Sequence, residues 1–92
     1  MKLIEVVRDL ESLDAESTIY AAEPWNSESE ALVAPEPASG GLPIDAEKQG
    51  LKYFLEVFIA RDFAADWALQ LGARPSVLQT CARLIEYATS DA

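Results

Sequence analysis

The chain has 92 residues, half of them apolar, with 16 acidic and 7 basic side chains, one Cys and no His, for a net charge of −9. That length makes one modest domain covering residues 1–92. Zero His and one Cys remove the usual zinc sites, Ser-His-Asp and Cys-His nucleophiles, and any intramolecular disulfide.

In chain order, residues 2–13 predict a helix, with Leu3, Val7 and Leu10 on one stripe and Ile4 and Val6 beside it. Ser12 to Ser17 is a turn. Thr18 to Ala22 predicts a first strand, which a polar connection, Glu23 to Glu30, joins to a short second strand, Ala31 to Ala34. Residues 35–43 hold three Pro and two Gly, which no helix or inner strand accepts. Because this stretch joins parts of one small domain, it reads as a loop within it. Pro43 to Gln49 predicts one or two helical turns ending at Gly50.

Residues 51–59, Leu-Lys-Tyr-Phe-Leu-Glu-Val-Phe-Ile, predict the central strand of the sheet. Tyr53, Leu55, Val57 and Ile59 alternate with Phe54, Glu56 and Phe58. A helix follows, carried by the stripes Phe63–Trp67–Leu71 and Ala64–Ala68, with Asp62 as expected N-cap, Gly72 as stop and Trp67 in the core. Arg74-Pro75 breaks the chain. Ser76 and Gln79 then form a capping box for a last helix to about Ala88. Its expected apolar face is Leu78, Cys81, Ala82, Leu84, Ile85 and Ala88, and residues 89–92 are expected to fray.

The predicted order is α-β-β-β-α-α: an α+β domain with a small antiparallel sheet of about three strands covered by helices. If the second strand is irregular, the sheet has two strands only. No apolar run reaches transmembrane length, and the acid-bearing N-terminal residues are not those of a signal peptide. A single Cys fits a reducing compartment, so the expectation is a cytoplasmic protein, taken here as bacterial.

Charge is the most informative feature. Between Arg8 and Lys48 lie ten acids and no base. Such a surface repels nucleic acid and anionic lipid and attracts basic partners; it also simply keeps a small chain soluble. The candidate partner-binding residues are Glu23, Trp25, Glu28, Glu30 and Glu36. Trp25 is either an exposed anchor or a ring folded back over the core.

No catalytic, cofactor-binding or metal-ligating motif is present, and neither a cofactor nor an enzymatic activity is expected. Asp62 and Asp66, four apart with Glu56 before them, are the only carboxylate set worth weighing for Mg²⁺, against an ordinary role at a helix N-terminus. Cys81 reads as core packing. In size, acidity and lack of chemistry the chain is similar to small acidic inhibitors and immunity proteins. More literally, Thr18-Ile19-Tyr20, Trp25, Val33 to Pro37, Gly40 to Pro43 and Tyr53 to Ile59 together resemble small bacterial single-domain proteins without assigned activity. That resemblance spans most of the chain and carries no site residues. The expectation is a non-enzymatic binder of a basic protein, immunity- or antitoxin-like. The alternatives are a homo-oligomeric structural protein, such as a homodimer, or a carboxylate-based Mg²⁺ enzyme.

Overall fold

The computed structural model describes residues 1–90; residues 91–92 lie outside it. Helix α1 (Leu3–Arg8) gives way at Asp9 to a 3₁₀ turn, Leu10–Ser12. Strands β1 (Thr18–Ala21) and β2 (Ala31–Ala34) follow, then a short helix α2 (Ile44–Lys48), strand β3 (Lys52–Glu56), and helices α3 (Val57–Leu71) and α4 (Val77–Ser90). The fold is α+β. Its sheet has three antiparallel strands in the order β2-β1-β3.

The central strand is therefore β1 and not the aromatic-rich stretch at 51–59. All four β1 residues are buried, whereas Lys52 and Tyr53 at the start of β3 face solvent. That aromatic stretch also ends as a strand sooner than its alternation predicts. Thr18, the first residue of β1, pairs with Glu56, and the Val57 amide donates to the Ser17 carbonyl at 2.9 Å. Beyond that point β3 has no partner. An unpartnered strand leaves its backbone groups unsatisfied, so the chain turns directly into helix, where each residue bonds within its own segment. The helical stripe then starts at Val57 and Ala60, both fully buried. Glu56, not Asp62, is the N-cap of α3. Gly72 does end this helix, in the left-handed region at φ 68° that Cβ-bearing residues avoid.

A register shift within the β1–β3 ladder explains a second departure. Ile19 pairs with Leu55 and Tyr20 with Tyr53, so Phe54 is the extra residue of a bulge. Alternation puts Phe54 and Leu55 on opposite faces. In the bulge both bury into the same core, with α1, α3 and α4. Its centre is Leu3, Val6, Ile19, Phe54, Leu55, Val57 and Leu84, each at most 3% exposed.

The other sheet face has a smaller cluster, Tyr20 with Ala46 of α2 and Leu51, joined by Leu32 and Leu42. The loop at 35–43 reaches it by an abrupt turn, in which the Gly40 amide donates to the Pro37 carbonyl and Gly40 and Gly41 both sit at φ 78°. Two successive left-handed residues explain the glycine pair. Tyr20 is 1% exposed, although its sequence position suggests a half-exposed ring.

The last helix begins as its capping box predicts. The Ser76 amide donates to Gln79 Oε1 at 2.8 Å, and the Gln79 amide donates to Ser76 Oγ at 3.1 Å. It stays helical through Thr89 and Ser90, beyond the expected fraying point. Only part of its apolar face is buried: Cys81, Leu84 and Ala88 face the core, while Leu78 and Ala82 are exposed.

Candidate functional site

Of the five candidate interface residues, Glu23, Glu28, Glu30 and Glu36 are exposed and Trp25 is not an outward anchor. The loop joining β1 to β2 holds itself in shape. Asn26 Oδ1 accepts from the Glu28 amide at 2.8 Å, and the Asn26 amide donates to Ser29 Oγ at 2.9 Å. The start of the chain then braces it: the Leu3 amide donates to the Ser29 carbonyl and the Ile4 amide to that of Ser27. A loop fixed at both ends aims its Trp inward. The Trp25 indole N–H donates to the Ala21 carbonyl at 3.2 Å, and the ring meets Phe54 edge-on at 4.9 Å between centroids. Such a T-shaped pair adds about 0.5–1.5 kcal/mol beyond its buried area.

The acids stay outside, but not all remain unpaired. Lys2 Nζ bonds Glu28, and this partner holds the lysine's pKa above its ordinary value. Glu30 takes the Met1 amino group at 2.9 Å. Glu23 and Glu36 have no ion pair among the described residues. The fold gathers Glu23, Glu28 and Glu30 at the end of the sheet near Ala21. Glu36 stands at the opposite end, where Ala34 and Glu56 flank Thr18. The candidate set is thus split along the length of β2, roughly 20 Å from Glu30 to Glu36 at strand spacing.

All ten acids between Arg8 and Lys48 are exposed. Asp9, Glu11, Glu28 and Glu30 are paired, Asp9 by Arg8 at 3.0 Å, which holds its carboxyl below the usual range. The other six have no ion pair among the described residues.

Asp62 and Asp66 lie exposed in the second and third turns of α3. They are too far along the helix to cap it, so the ordinary N-terminal role expected of them does not apply. Among the described residues no three Cys, Asp or Glu side chains gather to hold a metal ion. Glu56 pairs with neither Lys52 nor Arg61. The Cys81 thiol is fully buried, and burial pushes its pKa up, which keeps it protonated and unreactive.

Two features escape a reading of the sequence. Arg61 Nη2 donates to the Leu10 carbonyl at 2.9 Å and to the Leu13 carbonyl, and Glu11 lies 3.5 Å from its Nε. This side chain ties α3 to the end of the 3₁₀ turn, giving the Leu13 carbonyl a donor and the Leu10 carbonyl a second one beside the Leu13 amide. Around it opens a cleft of about 290 Å³ floored by Ala64, Ala65 and Ala68 and lined by Arg8, Arg61 and Arg74. Arg8 and Arg61 are already engaged, by Asp9 and by those carbonyls. The second feature is the half-exposed Trp67. It is not in the core but lines a surface groove between α3 and α4 with Leu71, Ala82 and Arg83. The sequence signal for both was weak: alanines spaced at 64, 65 and 68, and a Trp near a helix end.

No described helix is long and apolar enough to cross a membrane. Compared with protein-family models, curated proteins and solved structures, the chain matches none.

Proposed function

We propose that this protein acts without catalysis, by binding a basic protein partner through its acidic surface, as an inhibitor or an immunity- or antitoxin-like factor. One observation carries the reading: ten consecutive charged residues, from Asp9 to Glu47, are all acidic and all exposed. Six of them have no ion pair among the described residues, so a partner's Lys or Arg meets them without first breaking one. A surface of one sign speeds encounter with an oppositely charged partner and rejects like-charged ones. Glu23 and Glu36 are the sharpest probes because neither supports the fold through an ion pair.

The experiment is capture of partners from the native host by the wild-type chain and by a Glu23→Lys, Glu36→Lys variant. Melting curves of both proteins serve as the control for folding. The wild type is expected to recover a basic protein that the variant loses, with recovery falling as salt rises. Equal recovery by both, or recovery indifferent to salt, rules this surface out as the binding site.

A further inference from the structure

The helical hairpin leaves apolar side chains in solvent: Leu78 is 58% exposed and Leu71 50%. On α4 they form a pattern. Cys81, Leu84 and Ala88 fill the core, while Leu78 and Ala82 face outward and Ile85, partly buried against that core, continues their stripe at spacings of four and three. A shallow groove runs along each flank of that stripe. One, of about 260 Å³, separates it from Asn26 and Ser27. The other, of about 300 Å³, separates Ala82 from Trp67 and Leu71, with Arg83 and Glu86 on its rim.

We propose that a second copy of this chain covers this face, α4 crossing the α4 of its twin at Ala82.

Charge selects a copy over a basic partner. Residues 1–56 hold twelve acids and four bases, whereas residues 57–90 hold three of each. A basic protein is drawn to the first part. Two copies, each at −9, repel least when they bring their neutral faces together.

Shape selects it too. In a two-fold contact each surface must fit itself. A ridge with a groove on either side and a small residue at its middle does so: Leu78 of each copy, with the open edge of Ile85, enters the grooves beside the other's Ala82. The Ala82 methyl lets the helix axes approach to about 8 Å, the close end of helix packing. Arg83 and Glu86, 3.3 Å apart on the rim, offer each copy both signs of charge. One stripe and two short grooves make a small contact, so the expected dimer is weak, with a Kd on the order of 10–100 µM.

Sedimentation of the full chain over a range of micromolar concentrations, in low salt and at about 0.5 M NaCl, where the screening length is roughly 4 Å, tests this. A monomer–dimer equilibrium is expected that tightens severalfold in high salt, as repulsion between copies is screened. That is the opposite sign to the salt dependence of acid–base capture, so the two proposals fail separately. Ala82→Arg, on an exposed site, is expected to weaken association at least tenfold with an unchanged melting temperature, while Glu23→Lys with Glu36→Lys does not weaken it. Ala82→Cys is expected to cross-link under mild oxidation because it lies near the two-fold axis; Asp62→Cys on the exposed side of α3 is not. A monomer at every concentration and both salts overturns the proposal. So does unaltered association of the Ala82→Arg variant, or equal cross-linking of the two cysteine variants.

Discussion

Residues 1–56 and residues 57–90 of this protein solve different problems. The first part is strongly acidic yet buries its apolar residues well: α1, the 3₁₀ turn and the three strands supply most of the core, and the acids stand outside it. The second part is electrically balanced, and much of its apolar surface is left open. Of fifteen residues in α3, only Val57 and Ala60 are fully enclosed, and Leu69 is 80% exposed. Where charge is dense, repulsion between surfaces keeps the chain solvated without help. Where charges balance, exposed leucines become surface that a second molecule can cover.

Substitutions separate the two parts by size of effect. The largest is expected at Phe54, which sits under Trp25 at the bulge and is 2% exposed. Phe54→Ala removes a ring from the centre of the core and is expected to cost about 3–5 kcal/mol in urea unfolding, enough to unfold much of a small domain. A loss below about 1 kcal/mol shows that the core of the first part is not organised around the bulge.

Arg61 is the joint between the parts. Arg61→Ala removes the guanidinium donor from the Leu13 carbonyl and from the Leu10 carbonyl, which keeps the Leu13 amide, and is expected to cost about 1.5–3 kcal/mol, the range for hydrogen bonds to a charged group. If unfolding is unchanged, α3 is held to the first part by apolar packing alone.

The smallest effect is expected at Tyr20. Its hydroxyl is buried beside Thr18 without a hydrogen bond of normal geometry. Tyr20→Phe is therefore expected to lie within about 1 kcal/mol of wild type at neutral pH. Burial raises the Tyr20 pKa above its ordinary 10.0, with Glu36 and Glu56 adding to the rise. Above that ordinary value the unfolded chain loses the proton while the folded chain keeps it. Stability is thus intact below it and falls as pH rises through the raised value. The Phe variant lacks that alkaline loss. Buried Cys81, ordinarily 9.0 and also raised, imposes its own loss on both proteins. Thermal melts of the pair across the alkaline range check this. Parallel curves show that Tyr20 ionises freely in the folded state.

Much of the fold is legible in the residues, and the parts that are share one property. The Ser76–Gln79 box, the Gly72 stop, the Gly40–Gly41 turn and the positions of β1 and β2 each depend on side chains within a few residues of the effect. The end of β3 is not of this kind. Val57, Phe58 and Ile59 have the β-branched and aromatic character of a strand, but β1 runs out of partners at Thr18, and pairing across some forty residues overrides propensity. The direction of Trp25 was an open choice for the same reason, because it depends on where Phe54 and the Ala21 carbonyl stand. Of the candidate site, acidity and exposure could be read from composition; the division of its acids between two ends of the sheet could not.

The sequence by itself determined the α+β class, the break at 35–43, the N-terminal capping box of the last helix and the uneven charge, since these follow from local backbone preference and from counting. Only the tertiary structure decided that β1 is central, that a bulge turns Phe54 and Leu55 into one core, that Arg61 bonds the 3₁₀ turn, and that part of the apolar face of α4 looks outward. Each of these depends on pairing or packing between segments far apart in the chain, where one residue's partner is chosen by geometry and not by its neighbours.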